Sequence, residues 1–226
     1  MNEILTISLL SIKVAFIATV FVVPLGSITA WWLSFSKSNL RPLVEVIVLI
    51  PMVLPPVALG LILLHCLSTQ SFLGNIWYKI VGSQILLSWY AAVVASFVVG
   101  FPLFVKAAQT AMLQIPMRYI NVARTMGKTK LQIFRFIILP MASKGILNGS
   151  VLAFARGLGE FGATVLVAGI IPGHTETLAL GIYDRIVNGQ DSEAWPLVYV
   201  SILISAIAIA LSLFLQKAGR QNGDLI

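Results

Sequence analysis

Four stretches of this chain, 14–35, 46–67, 80–105 and 195–216, run for more than 20 residues without one Asp, Glu, Lys or Arg. A hydrocarbon layer about 30 Å thick, crossed at 1.5 Å per residue, takes about 20 apolar residues in a helix. Soluble core helices rarely run so long uncharged. A fifth stretch, 145–172, is as long and apolar but holds Arg156 and Glu160. Composition agrees: 58% of the residues are hydrophobic and 10% charged, against about 25% charged in soluble domains. The expectation is an all-α polytopic membrane protein of about five spans, one transmembrane domain over 1–226, with the bilayer as its solvent.

The start has some character of a cleaved leader, because its apolar run ends in Ser27-Ile28-Thr29-Ala30. Against that, Glu3 precedes the lone Lys13 and the run is too long for a leader's core. It reads as a retained first helix. Cys66 is the only cysteine, and with His65 and His174 it offers too few ligands for a metal centre.

Basic residues sort by loop. Lys37 and Arg41 follow the first run, Lys106, Arg118, Arg124, Lys128, Lys130, Arg135 and Lys144 occupy 106–144, and Lys217 and Arg220 lie in the tail. The alternate loops hold Lys13, Lys79 and Arg185 among Glu3, Glu176, Asp184, Asp191 and Glu193. By the positive-inside rule the first set is cytoplasmic, with the N-terminus outside and the C-terminus inside. The net charge of +7 is then an orientation signal. No basic stretch is interleaved with stacking aromatics, so nucleic acid is not an expected partner. Trp31, Trp32, Tyr78, Trp195 and Tyr199 stand where an interfacial aromatic belt belongs.

The basic loop 106–144 is patterned. Pro116 suits a helix start and Gly127 the position after a helix end, and Met117, Ile120, Ala123 and Met126 recur every three residues between them. That predicts a short amphipathic helix, either lying on the anionic inner leaflet or docking a cytoplasmic partner. Lys128 to Arg135 reads as a basic lead-in to the fourth span. Gly127-Lys128-Thr129 ends like a phosphate-binding loop, but Val122 stands where that motif requires glycine. The chain shows no nucleotide site of its own.

The run Asn121-Val122-Ala123-Arg124-Thr125-Met126-Gly127, then nine residues, then Ile137-Ile138-Leu139-Pro140, resembles the cytoplasmic signature of ABC-importer permeases. That signature is Glu-Ala-Ala, three residues, Gly, nine residues, Ile-x-Leu-Pro. The resemblance implies that this loop inserts into a cleft on a separate cytoplasmic ATPase subunit, two of which serve the complex and use ATP and magnesium while this chain binds no cofactor. Asn121 and Val122 depart from the signature's Glu and first Ala, which puts a charge-assisted contact there in doubt.

Arg156 and Glu160 lie about 18 to 24 Å beyond Lys144 if the segment is helical. Ionised groups at that depth cost about 2.5 kcal/mol or more and face protein, water or each other. An i,i+4 salt bridge is one reading, although Arg before Glu is the less favourable order. A role lining or gating a path is the other. The stretch Phe154 to Thr164, containing Arg156-Gly-Leu-Gly-Glu160-Phe161-Gly162, is similar to the corresponding segment of molybdate permeases, as are Ile50-Pro51-Met52-Val53-Leu54-Pro55-Pro56-Val57 and Ile171-Pro172-Gly173. The Arg-x-x-x-Glu-Phe-Gly element is also similar in sulfate permeases. Pro51, Pro55 and Pro56 bend the second span, either to line a cavity or as packing kinks.

The resemblance implies a non-catalytic permease subunit of the bacterial inner membrane that pairs with a second copy, receives molybdate or tungstate from an extracytoplasmic binding protein, and lines the path with Arg156, Glu160, Phe161, Pro51, Pro55 and Pro56. A permease for sulfate, thiosulfate or another oxyanion is the near alternative. An ion-coupled secondary transporter would show more spans, internal repeats and intramembrane acids. A membrane-embedded enzyme would cluster catalytic or metal-ligating residues within its spans, and none cluster here.

Overall fold

In the computed structural model, which describes residues 2–221, the apolar runs form helices. In chain order these are α1 (Asn2–Phe35), α2 (Arg41–Val53), α3 (Pro56–Leu67), α4 (Phe72–Val81), α5 (Trp89–Leu113), α6 (Met117–Thr125), α7 (Lys130–Ile133), α8 (Leu139–Leu158), α9 (Gly162–Ala168), α10 (Leu178–Val187) and α11 (Asp191–Gln221). A π-helical turn, Phe134–Ile138, joins α7 to α8 into one continuous rod. Among the described residues four helical segments are long and apolar enough to cross a bilayer, and the bent pair α2–α3 makes a fifth if it counts as one span.

The centre is a three-helix layer of α1, α5 and α8. Close approach is possible because α8 presents glycine to α5: a Cβ on Gly145 would stand 2.1 Å from that of Ala111, and one on Gly149 3.2 Å from the ring of Phe104. Small residues at crossings let helix backbones approach where lipid offers no hydrophobic driving force. Val22, Leu33, Phe104, Met112 and Ile138 form the core of this layer and carry it down to Ile120 of α6. A second cluster, with Val14, Leu59, Leu63, Val99 and Val167, joins α3 and α9 to the other half of α5.

The helix bounds depart from the apolar runs in several places, α1 beginning already at Asn2, and three of the departures have a local reason. The run 46–67 is two helices meeting at 113°. Consecutive Pro55 and Pro56 withhold two backbone donors, and Leu54 before them is extended, with ψ 143°, as a residue preceding proline prefers. The run 80–105 spans a loop, since α4 closes at Gly82 with φ +76° and α5 begins only at Trp89. That loop is uncharged, so charge counting could not see it, and its Leu87 N–H donates to the carbonyl of Val167 at 2.8 Å.

The third departure is the basic loop. Residues 106–113 continue α5, and from Lys130 the chain is helical through to Leu158. A capping box starts this rod: the Thr129 hydroxyl accepts from the Gln132 N–H, and the Gln132 side chain accepts from the Thr129 N–H at 2.9 Å. Lys130, Arg135 and Lys144 are all exposed on its surface. Their charge interrupts the hydropathy and not the helix.

At the face opposite these basic residues, the start of α1 is fastened to α10. Arg185 of α10, only 8% exposed, donates to Glu176 at 2.8 Å, to the Gly181 carbonyl at 2.9 Å and to Glu3 at 2.6 Å. The Ser11 hydroxyl accepts the Leu178 N–H at 2.7 Å, satisfying one free donor at the start of α10.

Candidate functional site

Two helices are broken in this fold, and the breaks pack on each other. Where α2 gives way to α3, Pro56 lies so close to the start of α9 that a Cβ on Gly162 would stand 2.5 Å from its own. One turn along, a Cβ on Gly60 would stand 2.9 Å from the Cα of Ala163. Glycine at 60 and 162 is thus what lets α3 lie against α9. Irregular backbone at membrane depth requires such cover, because in hydrocarbon its free donors and acceptors would have no partner.

The second break holds the charged pair. α8 ends at Leu158, the chain turns through Gly159, Glu160 and Phe161, and α9 begins at Gly162. Glu160 therefore lies beyond the helix that carries Arg156, and the salt bridge, one of the two readings of the pair, forms across the helix end. Its side chain is 1% exposed, and Oε2 lies 2.8 Å from the Arg156 guanidinium. Oε1 accepts the Ala163 N–H at 2.8 Å, so the carboxylate caps the first turn of α9. The Ser96 hydroxyl of α5 reaches the Gly157 carbonyl at 3.4 Å, serving one acceptor freed at the end of α8. A carboxylate so enclosed is held by one charge partner and one backbone donor, and loss of either leaves it costly.

Arg156 keeps a third of its side chain exposed, and that part opens on a cavity of about 150 Å³ lined also by Pro51, Met52, Leu54, Pro56, Val99 and Leu103. Of the path residues expected from sequence, the structure brings Pro51, Pro56 and Arg156 round one space. Pro55 sets the bend as the residue before α3, and Glu160 stands behind Arg156. Phe161 is directed elsewhere, its ring 4.8 Å from that of Tyr183 on α10. Val99 and Leu103 were missed, since nothing distinguishes them from other apolar residues of α5. The glycines around the charged pair, Gly157, Gly159 and Gly162, are a sequence signal of close helix packing or a local bend, and Gly162 makes that close contact with Pro56.

At the basic face, α6 has the bounds its punctuation predicts, from Pro116 before its first turn to Gly127 after its last. Gly127 has φ +75°, its N–H donates to the Arg124 carbonyl and the Lys128 N–H to the Ala123 carbonyl, both at 3.0 Å. That is the paired closure a left-handed glycine allows. Ile120 and Ala123 are buried, whereas Val122 is 59% and Met126 71% exposed. Asn121, Arg124 and Thr125 are exposed too. The inward stripe is thus narrower than the Met117-to-Met126 repeat suggests, and Met117, Val122 and Met126 are all exposed. Leu139 and Pro140 begin α8 directly after the π turn. Proline there has no N–H to give the preceding turn.

The family described as binding-protein-dependent transport system inner membrane component matches residues 22–220. The molybdenum transport system permease protein ModB of Escherichia coli K12 is 37% identical over 215 residues, which are 95% of this chain and 94% of that one. A putative molybdenum transport system permease protein of Bacillus subtilis, YvgM, is 36% identical over 92% of both chains. Among solved structures, the MetNI methionine ABC transporter in inward-facing conformations contains a chain that superposes with a TM-score of 0.69 at 22% identity, covering 98% of this chain and 94% of that one. A bacterial alginate ABC transporter gives 0.71 at 16% identity, over 98% and 80%. These structural likenesses concern the fold.

Proposed function

Because the chain belongs to the family of inner-membrane components of binding-protein-dependent transport systems, we propose that it is the permease subunit of an ATP-driven importer of molybdate. Likeness to molybdenum permeases across more than nine-tenths of both chains is the observation that carries the substrate. Two copies enclose the path, an extracytoplasmic binding protein delivers the anion, and two cytoplasmic ATPase subunits supply the work. The face bearing α6 is cytoplasmic and the face bearing Glu3 and Arg185 is outside.

In this reading Val122 and Met126, with Asn121 and Thr125, meet the ATPase. Closure of the ATPase pair moves α6, and the rod from Lys130 to Leu158 carries the motion to Arg156. The guanidinium offers forked donors to a tetrahedral oxyanion. The Glu160 carboxylate behind it takes up part of that charge, so the anion is held weakly enough to leave, as conduction requires.

The test is uptake of molybdate into vesicles containing the assembled complex, with tungstate and sulfate as competitors. Molybdate uptake that tungstate suppresses and an equal concentration of sulfate does not is the expected result. Equal suppression by sulfate would make the protein a general oxyanion permease, and uptake that continues without ATP would overturn the importer reading.

A further inference from the structure

The largest cavity among those described, about 470 Å³, lies away from the charged pair, at the basic face between the last turn of α1, α6 and the start of the long rod. Its walls carry Trp31, Trp32, Lys37, Arg124 and Lys130, and Ile120 and Ile138 close the bottom. Trp31 is held in place by stacking on Phe134 of the π turn, ring centres 4.6 Å apart. We propose that this cavity binds the anionic headgroup of a phospholipid.

Charge carries the argument first. Lys37, Arg124 and Lys130 have no carboxylate partner among the described residues, in a structure where Lys106, Arg156 and Arg185 each have one. Along the chain no Asp or Glu occurs between Glu45 and Glu160, which covers Arg124 and Lys130, and the acid nearest Lys37 is Glu45, eight residues on and paired with Lys106. Three cations around one hollow repel each other and favour an anion between them. The depth carries it second. Trp31 and Trp32 stand in the last turns of an apolar helix that ends at Phe35 and is followed by Ser36, Lys37 and Ser38, the order of groups met on leaving the hydrocarbon for the headgroup layer. A lipid places its phosphate at that level and its chains along the exposed apolar side of α1, where Leu25 and Ile28 are half exposed. A protein partner meets the outward side chains of α6, Val122 and Met126, instead.

The full-length protein is extracted in detergent, loaded with phosphatidylglycerol or phosphatidylcholine, and its retained lipid counted by native mass spectrometry. Phosphatidylglycerol is retained in preference to phosphatidylcholine. Lys37→Gln and Lys130→Gln each lower that retention about fivefold, the equivalent of ~1 kcal/mol per basic residue at a lipid surface. Both side chains are exposed, so the fold tolerates the change, and Lys37→Arg, which keeps the charge, retains lipid as the parent does. Lys79→Gln on the opposite face leaves retention unchanged. Equal retention of the two lipids, no loss in either glutamine variant, or an equal loss in Lys79→Gln overturns the proposal. Displacement of the lipid by inorganic phosphate as readily as by added phosphatidylglycerol would make this a free-oxyanion site and also overturn it.

Discussion

A methyl group on Gly162 would stand 2.5 Å from the Cβ of Pro56, so the two interrupted helices are fitted to each other where neither can be regular. Gly162→Ala should therefore cost about 1–3 kcal/mol by overpacking and lower both thermal stability in detergent and anion uptake. Gly159→Ala is the control, since its new Cβ would meet only the Ala155 carbonyl at 3.9 Å. An equal loss in both variants would show that the break as a whole is sensitive and that its contact with Pro56 is not special.

Glu160 and Arg156 form the second test. Removing one member of a buried pair strands the other, at about 3–5 kcal/mol when both are fully enclosed. Arg156→Leu leaves the enclosed carboxylate with the Ala163 N–H alone, whereas Glu160→Gln keeps an acceptor for that N–H and frees an arginine that is one-third exposed. Arg156→Leu should be the more destabilising, and the double variant less so than the sum, with a coupling of about 0.5–3 kcal/mol. Thermal unfolding of the four proteins gives this directly. Uptake should fall in Arg156→Leu while the ATPase still co-purifies, and normal uptake would leave the pair a structural one.

Gly127 separates backbone from side chain. Nothing lies within 4 Å of the Cβ a substitution would add, but its φ of +75° disfavours L residues by about 1–2 kcal/mol. Gly127→Val should insert normally yet lose uptake and the stimulation of ATP hydrolysis. Gly127→Asn should recover much of both, because asparagine tolerates this conformation. Equal loss in the two variants would point to steric exclusion by a partner.

Arg185 provides a contrast in burial. Its desolvation is offset by Glu176 and then Glu3, which hold its pKa above the ordinary arginine value. Arg185→Met strands Glu176, whose side chain is 4% exposed, and should cost about 3 kcal/mol or more. Glu3→Gln removes a partner 69% exposed and should cost under about 1 kcal/mol. Melting temperatures of the two variants decide it, and similar values would mean that the exposed bond is the one that matters.

How far the sequence revealed this site depends on what its signals measure. Absence of charge located α1, α5 and α11 but was blind to the turn at Gly82, because a loop can be as apolar as a helix. Presence of charge misled at Lys130, Arg135 and Lys144, where a helix continues beneath basic side chains; the Thr129 and Gln132 cap marked its start and went unread. Pro55 and Pro56 announced a bend, yet its size of 113° follows from α9 lying across it, which no local pattern states. Glu160 was identified by its improbable depth. That it caps a helix of its own could not be read, since the end of α8 at Leu158 has only a run of glycines to announce it.

The bond between Arg185 and Glu3 joins residues 182 positions apart. Chains emerge from the ribosome from the N-terminal end, so the first helix enters the bilayer long before its clamp exists. Its first turns stay unfastened until α10 has been made, and closing so long a loop is slow relative to helix formation. Assembly of this fold is then a late event, completed only when nearly the whole chain is in the membrane, and a truncation before Arg185 should leave inserted helices that never settle into the native packing.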